Sequence, residues 1–69
     1  MQLHYNDIDD LIKETKQAWA DQMVGSIARI DFKDYSPFKK YLESGLEDLK
    51  IKAVIDYSFL GIKIDFIRS

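Results

Sequence analysis

The 69-residue chain has no cysteine, which excludes a disulfide framework, a thiolate zinc site and a cysteine nucleophile. It has one histidine, His4, one proline, Pro37, and two arginines, Arg29 and Arg68. A single imidazole beside the chain start leaves little from which to build a nucleophile, a base and a group orienting that base. The serines at 26, 36, 44, 58 and 69 all fall in turn, cap or strand contexts. Long apolar runs are also missing. The longest aliphatic stretch is Ala53-Val54-Ile55, far below the roughly 20 residues of a membrane helix. The start, Met1-Gln2-Leu3-His4-Tyr5, has neither the basic flank nor the apolar run of a signal peptide, and a cytoplasmic location is expected. Charge of one sign is lacking too, since 10 Lys and Arg oppose 12 Asp and Glu. Without a clustered basic face, binding to double-stranded nucleic acid is not expected.

What is present is an ordinary globular composition, 46% hydrophobic and 13% aromatic. The length allows one small domain, residues 1–69. A core of that size seldom yields more than roughly 3–5 kcal/mol, so self-association would help.

Ile8, Leu11, Ile12, Thr15, Ala18, Trp19, Gln22 and Met23 recur at the spacing of one helical face, and predict a helix over 6–23. Asn6 or Asp7 is its expected N-cap, Asp9 and Lys13 an i,i+4 pair, and Gly25 its stop. The aspartates Asp7, Asp9 and Asp10 lack the glycine and the following ligands of a calcium loop, and read as complements to the helix dipole. Residues 26–33 alternate, with Ala28, Ile30 and Phe32 expected inward and Arg29, Asp31 and Lys33 outward. Ser36-Pro37 then reads as N-cap and first helical residue of a second helix over 37–48. Gly45 falls on its apolar face, as either a close-approach site or a helix end.

The remainder reads as a hairpin. With Phe59-Leu60 at the turn, Tyr57 faces Ile62, Ile55 faces Ile64, Ala53 faces Phe66 and Asp56 faces Lys63, and a one-residue slip would set Ile55 against Asp65. Phe-Leu is an unusual pair for so tight a turn. The expected fold is therefore a two-layer α+β domain of order α-β-α-β-β, with both helices on one face of a three-stranded sheet. The third strand could lie between the other two or at an edge. Leu11, Trp19, Ile30, Phe38, Leu42, Ile55 and Ile64 are the expected core. The aromatics Trp19, Phe32, Phe38, Tyr41, Tyr57 and Phe66 belong to apolar faces, unlike a stacking platform.

Two patterns bear on function. Ile30-Asp31-Phe32, Ile55-Asp56-Tyr57 and Ile64-Asp65-Phe66 each set an aspartate outward, with Arg29, Lys33, Lys52 and Lys63 expected on the same side. Ile27, Val54 and Ile67 interrupt that polar face with one aliphatic per strand. The helix-free face is thus the expected partner-binding surface, formed by Ile27, Arg29, Asp31, Val54, Asp56, Lys63, Asp65 and Ile67. No enzymatic activity, metal or cofactor is expected. The sequence points to a protein that binds another protein as an accessory or inhibitor. The abundance of Asp over Glu, Lys over Arg and Ile over Leu is common in AT-rich phage and mobile-element genomes. The alternatives are a self-associating structural protein and an acidic nucleic-acid mimic.

Overall fold

The computed structural model describes residues 2–21, 25–49 and 53–67. Helix α1 spans Tyr5–Ala20, strand β1 Ser26–Arg29, helix α2 Lys39–Gly45, strand β2 Ala53–Ser58 and strand β3 Gly61–Phe66. Turns of 3₁₀ helix at Ser36–Phe38 and Glu47–Leu49 flank α2. The sheet order is β1-β3-β2, with β3 antiparallel to both neighbours. The last strand therefore occupies the centre, and the α-β-α-β-β order and two-layer α+β class expected from the sequence hold.

Helix α1 begins at Tyr5, one residue before the expected span, so neither Asn6 nor Asp7 is its cap. His4 is its N-cap, and the His4 N–H donates to the Asp7 carboxylate at 2.9 Å, while the Asp7 N–H donates to the His4 carbonyl at 3.0 Å. Asp7 thus acts from the third helical position, not as the cap. Asp9 is engaged by the Tyr41 hydroxyl of α2, which donates to it. The buried stripe is Ile8, Leu11, Thr15 and Ala18, and the Thr15 hydroxyl is satisfied by the Leu11 carbonyl at 2.7 Å. The helix ends at Ala20; the expected continuation through Gln22 and Met23 lies outside the described residues.

The second helix is shorter than its periodicity implied. Ser36 is not a cap; it lies inside the 3₁₀ turn, which is closed by the Phe38 N–H donating to the Tyr35 carbonyl at 2.7 Å. Gly45 satisfies both expectations at once. It is the last residue of α2, and a Cβ there would lie 2.3 Å from Ile12 Cδ1 of α1.

The β2–β3 hairpin adopts the expected register, Ala53 to Phe66, Ile55 to Ile64, Asp56 to Lys63 and Tyr57 to Ile62. Ser58 pairs with Gly61, the Leu60 N–H donates to Ser58 Oγ at 3.2 Å, and Gly61 takes φ +135°, a conformation other residues rarely adopt. The expected start of the hairpin at Lys50 falls in residues 50–52, which lie outside the described residues.

Strand β1 departs most from expectation. It stops at Arg29, and its parity is reversed: Ile27 pairs with the fully buried Ile64 and is only 8% exposed, whereas Ile30 is 66% exposed. The cause is non-local. Position opposite β3 decides which residues of β1 face the helices, and Ile64 sets that row. Beyond Arg29 the chain turns, with the Phe32 N–H donating to the Arg29 carbonyl at 3.2 Å, and Phe32 reaches the core from the following loop. Of the expected core, Leu11, Phe38, Leu42 and Ile64 are buried, Trp19 and Ile55 are half-buried against it, and Ile30 is outside.

Both helices cover the face that carries Ile27, Ile62, Ile64 and Ala53. Glu14 of α1 pairs with Arg29, Trp19 stacks at a tilt on Phe66 with centroids 5.8 Å apart, and Glu43 of α2 accepts from the Tyr57 hydroxyl at 3.0 Å. No helix among the described residues is long and apolar enough to cross a membrane.

Candidate functional site

Cross-strand partners share a face, so the register fixes the helix-free side of the sheet. Its first row is Ser26, Asp65 and Val54, and its second is Ala28, Lys63 and Asp56. Lys63 and Asp65, two apart on β3, form an ion pair at 3.7 Å. Val54 and Ile67 stand exposed at the far end from the hairpin turn. Of the eight expected binding residues, Val54, Asp56, Lys63 and Asp65 are therefore together on the open side, and Ile67 is exposed just beyond the end of β3.

Three are elsewhere. Ile27 and Arg29 lie on the helix-covered face: Ile27 is in the core, and Arg29 is half-buried and paired with Glu14. Asp31 belongs to the turn after β1. All three shifts follow from the reversed parity and early end of β1. They also dissolve the expected stripe of three aspartates, since Asp56 and Asp65 flank Lys63 and Asp31 is outside the sheet.

The same reversal builds a surface that the sequence did not indicate. Gly61 packs so tightly on β1 that a Cβ would meet the Arg29 carbonyl oxygen at 2.1 Å and the Ile30 Cα at 3.0 Å. The hairpin turn is thereby held beside the end of β1. Ile30, Phe59 and Leu60, exposed by 66%, 84% and 53%, gather at that end. Ile30 and Leu60 line a shallow 130 Å³ depression together with Ala28 and Lys63 of the open face. The available signal was the improbable Phe-Leu turn, two large apolar residues where no core can receive them.

Two open grooves flank the helices, each within the roughly 300–1,000 Å³ of ligand pockets, although so short a chain has little room for one. One, about 360 Å³, runs along α1 between Asp10, Lys13, Glu14, Gln17 and Ile27. The other, about 370 Å³, lies between α2 and β2, with a floor of Leu46, Leu49, Ala53 and Ile55 and a rim of Glu43 and Glu47. At its hairpin end, burial and the hydrogen bond to Glu43 push the Tyr57 phenol well above the ordinary tyrosine pKa. The Lys39 ammonium sits over that ring, 4.8 Å from its centroid, and 5.4 Å from that of Tyr35. Among the described residues, no group of three or more His, Asp or Glu side chains is arranged to hold a metal ion.

Comparison of the chain with protein-family models, with curated proteins and with solved structures finds no match.

Proposed function

We propose that this is a non-enzymatic binding protein, accessory or inhibitory to another protein, which engages its partner with the hairpin end and adjoining open face of the sheet. The observation that carries this reading is the gathering of Ile30, Phe59 and Leu60 in solvent at one end of so small a molecule. Apolar side chains scattered singly on a surface need no explanation, but a cluster edged by charge has the composition of an interface. Asp56 and Lys63 supply the neighbouring polar contacts, and Val54 and Ile67 extend the surface to the far end. The cysteine-free composition suits a reducing cytoplasm, and the residue usage suits a phage or mobile element.

The experiment is affinity capture from the source cell with the wild-type chain and with Phe59→Asp and Leu60→Asp as baits. Both positions project from a turn, so folding is preserved and can be verified by circular dichroism. A protein retained by the wild type and lost from both variants supports the reading. Equal retention by the folded variants overturns it.

A further inference from the structure

The sheet ends on β2, and the direction of its unpaired main-chain groups follows from one hydrogen bond. The Phe66 N–H donates to the Gly25 carbonyl, on the β1 side, at 3.1 Å. Main-chain groups alternate sides along a strand, so Ile62, Ile64 and Phe66 serve β1, and Gly61, Lys63 and Asp65 serve β2. Their partners Ser58, Asp56 and Val54 point back at β3. Ala53, Ile55 and Tyr57 therefore direct their N–H and C=O groups outward, along an edge that no described strand covers.

We propose that two copies of this chain pair antiparallel along β2, about a twofold axis at Ile55, and join their sheets into one of six strands. Three features of the edge select a second copy. First, the register centred on Ile55 uses every outward group, pairing Ile55 with its own equivalent and Ala53 with Tyr57 of the other copy. It places a large side chain opposite a small one on the inner face. On the outer face it sets Val54 opposite Asp56, with no like charges facing one another. A centre at Tyr57 would instead carry the pairing into the Phe59-Leu60 turn.

Second, the flank above this edge is charge-complementary to itself. Lys39, at the start of α2, sits over Tyr57, while Glu47 lines the groove with Leu49, from which the chain reaches Ala53 in four residues. Antiparallel pairing sets Tyr57 opposite Ala53, and so brings Lys39 of each copy toward Glu47 of the other. Both copies gain the contact, as an isologous interface requires. A basic extended peptide would meet Lys39 at one end of this groove, and an acidic one would meet Glu43 and Glu47.

Third, the grooves adjoin across the axis, so the floors of Leu46, Leu49, Ala53 and Ile55 would close into one apolar layer. For a chain of this length such burial supplements a small core. Val54 and Asp56 adjoin both surfaces, but the edge is separate from the Phe59–Leu60 end that carries the proposed partner contact, so substitutions at Phe59 and Leu60 distinguish failure of partner binding from failure of dimerisation.

The absence of native cysteine makes the register directly testable. Val54 and Asp56 of opposite copies form a non-hydrogen-bonded pair on the outer face, where Cβ atoms lie roughly 4.5–5.5 Å apart, near disulfide range. Val54→Cys and Asp56→Cys are purified separately, mixed and mildly oxidised. The expected result is a mixed Val54→Cys/Asp56→Cys disulfide formed at least tenfold faster than either homodimer. Equal rates for all three combinations overturn the register.

Sedimentation equilibrium of the wild type is expected to show a dimer with a Kd in about the micromolar range. A monomer at about 1 mM, or assembly beyond a dimer, overturns the proposal. Lys39→Glu, at a half-buried position over Tyr57, and Glu47→Lys, at an exposed one, should each weaken the dimer about fivefold while circular dichroism shows the fold retained, and the double exchange should restore it. Unchanged association in both single variants overturns the charge pairing, and Phe59→Asp should leave the dimer intact.

Discussion

Ile12 and Gly45 hold α1 and α2 at a separation that admits no side chain between them, since a Cβ on residue 45 would fall 2.3 Å from Ile12 Cδ1 and 3.0 Å from Cγ1. Gly45→Ala would improve local helix propensity by up to about 1 kcal/mol, yet the overpacking costs about 1–3 kcal/mol. Net destabilisation is expected in chemical denaturation. In an Ile12→Ala background the same substitution should become neutral or stabilising. That change of sign, read as the coupling in a double-mutant cycle, tests the contact.

The parity of β1 is open to an equally direct test. Ile27→Ala removes a buried side chain opposite Ile64 and should cost about 2–4 kcal/mol, like Leu42→Ala in α2, which belongs to the range of about 2–5 kcal/mol. Ile30→Ala should fall within about 0.5 kcal/mol of the parent. Ile55→Ala, half-buried, should lie between. Thermal melts of the four proteins order them, and a reversed order for Ile27 and Ile30 would restore the strand pattern that alternation alone implies.

Alkaline pH should expose the Tyr57–Glu43 contact. Burial first, then the hydrogen bond to Glu43 and its negative charge, raise the Tyr57 pKa above the ordinary tyrosine value. The folded state therefore binds this proton more tightly than the unfolded chain does. The stabilisation is complete below about pH 10 and is lost as pH rises beyond it. Tyr41, hydrogen-bonded to Asp9, is shifted in the same direction. Tyr57→Phe should flatten the fall in stability above pH 10 and remove part of the late phase from an ultraviolet phenolate titration.

At the start of α1, Asp7→Ala leaves the His4 N–H without its carboxylate partner and should cost about 0.5–1.5 kcal/mol. His4→Ala keeps the main-chain donor and should cost less, with partner capture unchanged. Guanidinium denaturation of both variants gives the comparison.

How much was legible followed the range of the interactions involved. The β2–β3 register depends on two adjacent runs and the turn between them, and alternation was enough to specify Ile55 opposite Ile64. The apolar stripe of α1 likewise repeats within one segment. The central place of β3 and the facing of β1 depend on a pairing between residues more than thirty positions apart, such as Ile27 with Ile64. Nothing local in Ser26–Lys33 distinguishes a strand with Ile30 inside from one with Ile27 inside. Val54, Asp56, Lys63 and Asp65 fall on the expected face because they lie on the hairpin. Ile27, Arg29 and Asp31 do not, because they sit where the distant strand decides.

The central position of β3 also imposes an order on biosynthesis. β1 and β2 both precede the strand that joins them, so neither has its sheet partner until residues 61–66 have left the ribosome. The 32 positions from Arg29 to Gly61 correspond to about 2–6 s of translation at about 5–20 residues per second. Throughout that interval Ile27 and its neighbours are nascent chain without a sheet to enter. A chain halted before Gly61 could form α1, but no part of this sheet.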